Sequence, residues 1–411
     1  MNFSLNNLHI VQPNALDGSN PAGANSSIKI RGEKIECISN STSNNLDLDH
    51  FIPTEDRFQY IHLDLTNCLA FPGLINSHDH LEFNLFPKLG NRIYNNYVEW
   101  GNDIHRQNKT IIDKVLSVPE NLRVQWGMYK NLLNGVTTVV QHGKSLTIND
   151  PLITIYQNCR SLHSVRQEKY WKGKLNSPFA SKKTFAIHIG EGTDKASFLE
   201  ITKLLEWNLL KRELIAIHGV AMQKEQAEKF KALVWCPDSN FFLLNATADI
   251  RDLKQKTQLI FGTDSTLTAG WNLWEQLRMA RNLRTLSDLE LLESVTCTPA
   301  SVWNLNNTGI LREKMDADIV IATGNDKSDL LKSFYSLNPR DMILIMNKGS
   351  VVLFDEGLMG QLKKGLNLQT FSKIGIGGKS KYVKGDLPLL ITKIKEKYDE
   401  VFLPVEFDQT Y

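Results

Sequence analysis

Two histidines two residues apart, His78 and His80, close the run Phe71-Pro72-Gly73-Leu74-Ile75-Asn76-Ser77. The apolar residues Ala70, Phe71, Leu74 and Ile75, interrupted by a Pro-Gly pair, read as a short buried strand entering a domain. Residues i and i+2 of a strand face the same side, so both imidazoles can converge on one point. Neutral imidazole is the commonest side-chain metal ligand, which makes metal binding the chemistry to test along the rest of the chain. The His-x-His pair alone is a weak signal.

Three further apolar runs end in residues of the same kind. Phe185-Ala186-Ile187-His188-Ile189-Gly190-Glu191 carries a His with a Glu three residues later. Leu214 to Ile217 leads to His218, and Leu259-Ile260-Phe261-Gly262-Thr263 leads to Asp264. Ala232 to Trp235, closed by Cys236-Pro237, is another short apolar run. Helical patterns lie between them, from Phe198-Leu199 to Leu209-Leu210 and from Trp274 to Leu283. Apolar strands alternating with helices predict a parallel sheet with crossover helices. Polar residues at the carboxyl ends of successive parallel strands are the layout of an α/β-barrel active site.

Taken singly, each residue has a plainer explanation. An isolated His at the end of an apolar run is more often a satisfied buried His than a ligand. Asp264 could cap a helix, and Glu191 could pair with a surface Lys. These explanations are independent of one another, and all of them holding together is improbable.

The ordered set Pro72-Gly73-Leu74-Ile75-Asn76 with His78-Asp79-His80, His188-x-x-Glu191, His218, Cys236-Pro237-x-Ser239-Asn240 and Gly262-Thr263-Asp264 resembles the amidohydrolase superfamily. Within it the set is most similar to the cytosine deaminase and chlorohydrolase branch of aminohydrolases, from about residue 5 to about residue 355. The resemblance implies that His78, His80, His188 and Asp264 hold one divalent metal. It also implies that Glu191 shuttles protons and that His218 orients the attacking water.

Such a set suits hydrolysis. A mixed imidazole and carboxylate site accepts Zn or Fe(II), and the sequence does not choose between them. A bound metal lowers the pKa of its water towards about 7 and so supplies hydroxide at neutral pH. Asp264 would take a proton from that water, His218 would stabilise the charge that develops, and Glu191 would protonate a ring nitrogen and relay a proton to the leaving group. Substrate contacts are expected from Glu82 and Asn84 just after the metal motif, from Trp100, and from His142 at the end of the strand Val136 to Val140. Trp100 belongs to an aromatic-rich segment, with Tyr97, Glu99 and Asn102, that reads either as a lid over the pocket or as ordinary surface packing. Trp235 and Asn240 read as residues that shape the barrel.

The predicted fold is a (β/α)8 barrel with an irregular fourth strand. Between the third strand, Leu162 to Gln167, and Phe185, only Glu168 to Thr184 remain, where a further helix, strand and loops would need about thirty residues. Two-metal relatives bridge their ions from that region. Here Lys172, Lys174, Lys182 and Lys183 follow no apolar strand, so one metal is expected.

The chain has 411 residues, 42% hydrophobic and 22% charged, ordinary for a globular enzyme. A barrel of about 250 residues leaves room for a second unit. Strand-like runs at both chain ends suggest one β-sandwich built from residues 1–66 and 310–411, the barrel occupying residues 67–309. Ser287-Asp288-Leu289-Glu290 has the form of a capping box and starts a helix towards Trp303. The basic runs Lys379 to Lys384 and Lys393 to Lys397 read as solvated faces, and Asn40 to Asp49 as a polar loop. Leu389 to Tyr398 reads as a terminal helix.

A net charge of +2 argues against a nucleic-acid partner. No run approaches about eighteen apolar residues, so no membrane span is expected, and no signal peptide is evident. Five cysteines without a C-x-x-C pair fit reduced thiols in a cytoplasmic protein. The expected partner is a small-molecule substrate, and the resemblance adds a homodimer. The favoured function is hydrolytic deamination of a small nitrogen heterocycle. The alternatives are hydrolysis of an amide, a cyclic imide or a carbon–halogen bond on the same barrel, and a non-catalytic scaffold.

Overall fold

A computed structural model describes residues 1–13, 25–40, 60–179, 183–324, 326 and 328–407. Most of the polar run expected as a loop, residues 41–49, lies outside them, as does Lys182. The amino-terminal part supplies β1 (Asn2–Ile10), β2 (Ser26–Arg31), β3 (Lys34–Asn40) and the long β4 (Tyr60–Pro72). The barrel strands follow: β5 (Leu74–Asp79), β6 (Val136–Gln141), β7 (Thr154–Tyr156), β8 (Arg160–Ser164), β9 (Phe185–Ile189), β10 (Leu214–His218), β11 (Ala232–Trp235) and β12 (Gln258–Phe261). The chain then returns to the first unit as β13 (Ile319–Thr323), β14 (Met342–Asn347), β15 (Ser350–Asp355), β16 (Phe371–Ile376) and β17 (Lys379–Lys384).

All barrel pairings are parallel, in the orders β5-β6-β7 and β8-β9-β10-β11-β12. The bond from Asp264 N to His78 O, 3.0 Å, ties the end of β12 to β5 and so brings the first and last strands together. β9, β10 and β11 are almost wholly apolar and buried along their length, as parallel strands covered by helices must be. Side chains such as Ile187, Ala216 and Leu233 are fully buried.

The barrel departs from eight regular units where the chain is short. β7 and β8 are separated by only residues 157–159, so no helix crosses over between them. β7 pairs with β6, β8 pairs straight onto β9, and the two act as one bent strand. In place of an irregular fourth strand, the described residues between Ser164 and Phe185 carry only the short helix Trp171–Leu175. Too few residues are available there for a full crossover.

The two chain ends join in one nine-stranded sheet, in the order β16-β17-β15-β14-β13-β4-β1-β2-β3, with β1 and β4 parallel. The sheet is strongly curled. A Cβ at Gly349, in the β14–β15 turn, would run into the Gly32 carbonyl of the β2–β3 turn, although three strands lie between them in sheet order. Its enclosed core includes Phe3, Ile30, Leu63, Ile319, Met346 and Phe354. Lys379 to Lys384 is strand β17 rather than a wholly solvated face. Lys381 is buried, and its Nζ donates to Met342 O at 2.6 Å and Asp355 Oδ2 at 3.1 Å.

Among the helices, α1 (Tyr97–Gln107), α2 (Lys109–Ser117) and α3 (Glu120–Leu133) fill the long β5–β6 connection, and α4 (Lys195–Trp207) follows β9. α5 (Pro237–Leu244) follows β11, with Pro237 at its first turn, where the missing N–H is not needed. The Ser287 capping box forms, but its helix ends at Glu293 and a second one, Cys297–Val302, follows. Leu390, Ile391 and Ile394 of the terminal helix Leu387–Lys395 join the barrel's hydrophobic core. Among the described residues no helix is long and apolar enough to cross a membrane.

Candidate active site

The barrel geometry brings His78, His80, His188, His218, Glu191 and Asp264 to one mouth. His78 ends β5 and is fully buried. His188 and His218 lie on adjacent strands, with Ile217 paired opposite His188. Nε2 of His188 faces Nε2 of His78 at 3.3 Å, and His78 Nε2 lies 3.7 Å from Asp264 Oδ1. The ligand atoms of His78, His80 and His188 lie within 4.8 Å of one another, as do those of His78, His218 and Asp264.

The donor set fits a metal ion. His188 Nδ1 lies 2.9 Å from the His163 carbonyl, which accepts only from an N–H, so the Nε2 lone pair is left pointing at the cluster. Burial, then the neighbouring histidines, holds His78 and His188 neutral, well below the usual imidazole pKa. Burial pushes the Asp264 carboxyl up. His218, His80 and bonds from Ser265 N and Ser239 Oγ outweigh this and keep it below the usual carboxylate value. Neutral imidazoles around an ionised carboxylate are what a divalent cation requires.

Backbone strain sits at the same strand ends. His218 and Asp264 both adopt positive φ, 71° and 56°. Such conformations in non-glycine residues cost on the order of 1–3 kcal/mol each and persist only where the surroundings over-determine them. At Asp264 the surroundings are a buried network that the sequence reading did not identify. Lys130 of α3 is 1% exposed, and its Nζ reaches Asp79 Oδ2 at 3.0 Å, Thr263 Oγ1 at 3.1 Å and the Asp264 carbonyl at 3.4 Å. Asn131 Nδ2 also donates to Asp79 Oδ2, at 2.7 Å, and Asn76 links Thr263 to His78 N. One readable signal existed: Lys130 and Asn131 stand in a helix whose residues from Trp126 to Leu133 are otherwise mostly apolar, an arrangement that buries a charge only with a partner. Lys130→Met leaves Asp79 unpaired in the interior and is expected to destabilise the fold by roughly 3–5 kcal/mol in urea melts. Adding Asp79→Asn should restore much of that loss.

Glu191 is buried, 3.6 Å from His218 Nε2. Burial, then the charges of Asp264 and Glu200, pushes its carboxyl well above the usual range and so favours the protonated form. Behind it, Glu200 of α4 accepts from Gly190 N at 2.8 Å and is raised to about 7 by burial. A folded-state pKa above the unfolded value of about 4.3 means stability is full below that value and is lost as pH rises through 7. Glu200→Gln should therefore melt higher than wild type at pH 8, by at most roughly 3 kcal/mol, and no higher at pH 4.

A cavity of about 710 Å³ opens over these groups. Glu82, Trp100 and His142 line it together with His80, His188, Glu191, His218 and Asp264, while His78 lies buried behind them. Glu82 is steadied by Gln141, whose Nε2 donates to Oε2 at 2.8 Å. Burial, then His78 and His80, holds His142 neutral, and its Nε2 is buried without a hydrogen-bond partner. Asn84 does not reach the cavity. Its Nδ2 donates to Asp79 Oδ1 at 2.9 Å and its Oδ1 accepts from Thr266 N at 3.2 Å, so it stitches the first loop to the last. The aromatic-rich segment is α1 itself, capped by Asn96, and Tyr97, Trp100 and Ile104 form one wall of the cavity.

A parallel barrel with four histidines, an Asp and a buried Glu gathered at its carboxyl-end mouth is an arrangement able to hold a metal ion and to activate water. Residues 180–352 match the amidohydrolase family. That stretch carries the family's domain and holds β9 to β12 with His188, Glu191, His218 and Asp264. It is 27% identical over 200 residues to a 5-methylthioadenosine/S-adenosylhomocysteine deaminase of Caldicellulosiruptor saccharolyticus, covering 42% of this chain and 47% of that one. A protein of the same name from Pyrococcus furiosus is 22% identical over 363 residues, 71% of this chain and 85% of the relative. The match to the first of these spans about half of its length. Among solved structures, a zinc-bound adenosine deaminase from Xanthomonas campestris aligns with a TM-score of 0.63 at 15% identity, over 97% of this chain and 98% of that one. At that identity the likeness is one of fold.

Proposed function

We propose that this protein is a metal-dependent hydrolytic deaminase of an amino-substituted nitrogen heterocycle, with a purine nucleoside of the kind named for its relatives as the first candidate. The observation that carries the reading is Glu191, a buried carboxyl 3.6 Å from His218 Nε2 whose burial favours its protonated form. An acid of that kind can protonate a ring nitrogen, which is what makes an amino-bearing ring carbon electrophilic.

His78, His80, His188 and Asp264 would hold one Zn or Fe(II). Lys172 and Lys174 lie on the short helix Trp171–Leu175 and Lys183 precedes β9, so none of the described lysines of the region that would supply a bridge stands at the carboxyl end of a strand, which supports a single ion. When bound, the ion supplies Lewis acidity and an acidified water near neutral pH. Asp264 takes the proton released by the attacking water. Glu191 gives its proton to the ring nitrogen, and His218 donates to the oxygen as charge develops on it. The carbon–nitrogen bond then breaks, the amine leaves as ammonia with the proton that Asp264 took up, and the proton left on the attacking oxygen returns to Glu191. Glu82, Trp100 and His142 bind the substrate.

All five cysteines are free thiols, in keeping with a reducing, cytoplasmic setting. A homodimer is the expected assembly, by analogy with the family.

The test is ammonia release from aminopurine nucleosides and simpler amino-heterocycles, with protein stripped of metal and then reloaded with zinc or iron. Ammonia should appear only after reloading. Turnover that released halide or a carboxylic acid without ammonia would move the assignment to the alternative hydrolases.

A further inference from the structure

His218 donates to the reaction only if its Nε2, the nitrogen facing Glu191, carries the hydrogen. A neutral imidazole has two tautomers, and the one present is set by what the other nitrogen meets. Here Nδ1 of His218 meets Asn240 Nδ2 of α5 at 2.9 Å. An amide can turn either edge to a neighbour, so the contact alone does not decide which group donates.

The decision is made two residues further back. Trp235, the last residue of β11, lies 2.8 Å through Nε1 from Thr247 Oγ1. An indole N–H can only donate, so Thr247 Oγ1 accepts. Thr247 Oγ1 then finds Asn240 Oδ1 at 3.4 Å as an acceptor for its own hydrogen. With Oδ1 turned to Thr247, Nδ2 points at His218 and donates to Nδ1. Every donor in the row then has an acceptor, and the His218 hydrogen is left on Nε2.

The opposite end agrees. His218 Nε2 faces Glu191 Oε1 at 3.6 Å, and a ring nitrogen of His218 lies within 4.8 Å of an oxygen of the Asp264 carboxylate, which favours an N–H over a lone pair. Asn240 is fully buried and Trp235 is 1% exposed, so water does not compete for these bonds at either residue.

We propose that Trp235, Thr247 and Asn240 are positioning residues, a one-way hydrogen-bond row that fixes His218 as the Nε2–H tautomer. The consequence separates the two overlapping histidine sets. A protonated Nε2 cannot ligate, so His218 is a donor, and the ion falls to His78, His80 and His188 with Asp264. The catalytic part of the inference rests on the deaminase reading, whereas the tautomer does not.

The test is Asn240→Asp. A carboxylate at 240 accepts rather than donates, so His218 should switch to Nδ1–H. Ring ¹⁵N chemical shifts of ¹⁵N-histidine-labelled protein read the tautomer without any substrate, the His218 signals being assigned by their loss in His218→Gln. The expected result is Nε2–H in wild type and Nδ1–H in Asn240→Asp. On the zinc-loaded protein kcat should fall on the order of 10³–10⁴-fold, the scale seen when a catalytic His is held in the wrong tautomer, with KM little changed. Thr247→Val, which leaves the buried carboxylates as they are, should give a mixture of tautomers and a smaller fall in kcat. It serves if Asn240→Asp does not fold. Nδ1–H in the wild type, or Nε2–H unchanged in both variants, would overturn the proposal. The expected switch on a protein inactive towards every amino-heterocycle would leave the row intact and refute the deaminase reading instead.

Discussion

Replacing His188 by alanine is expected to strip the protein of its metal and to lower turnover by roughly 10³-fold or more, since an acidified water at neutral pH depends on the ion. Among the histidines proposed as ligands, His188 has its orientation fixed by the His163 carbonyl, which holds Nδ1 and aims Nε2 at His78. Its removal takes one nitrogen from the three-histidine set and leaves too few donors to close the site. Elemental analysis after gel filtration reads the first effect, and ammonia release reads the second. The fold should survive, because His188 is neutral in the folded protein and its loss leaves no charge unpaired. A variant that kept a full complement of metal would show that the ion sits elsewhere.

Glu191→Gln should separate chemistry from metal binding. The amide fills the same space but cannot give up a proton, so kcat should fall by about 10²–10⁴-fold while metal content stays at the wild-type level. Because burial favours the protonated form of wild-type Glu191, neutral Gln adds no new charge problem, and the melting temperature at neutral pH should not drop. A fall in metal content equal to that of His188→Ala would make Glu191 a ligand rather than an acid.

The site was legible where it was written in strand ends. A parallel strand buried on both faces is a run of apolar residues, so a His, Glu or Asp at its end stands out, and His78, His188, His218 and Asp264 were readable for that reason. The barrel and the β-rich unit from both chain ends followed from the same alternation. What holds the site in place was harder to see. Lys130 and Asp79 meet across 51 positions of sequence, and although its apolar helix marks Lys130 as a charge in need of a partner, nothing local names Asp79 as that partner. Asn84 sits where a substrate contact was expected, yet the Asp79 carboxylate and Thr266 N claim its amide. The row from Trp235 to His218 was hidden for another reason: its members lie on β11, α5 and the loop beyond, and only the folded turn after β11 aligns them. Lys381 looked like part of a solvated run because the strand's two-residue period sets it on one face with both exposed Lys379 and buried Val383, and only the folded sheet shows how far along that face the cover extends.

The most direct measurement is the mass and the isotope content of the product formed by zinc-loaded protein in ¹⁸O-enriched water. The account requires an amino group replaced by a hydroxyl or keto oxygen drawn from solvent, with one ammonia released for each product. A product that keeps its nitrogen and gains solvent oxygen elsewhere, or one that forms equally well without metal, would contradict it.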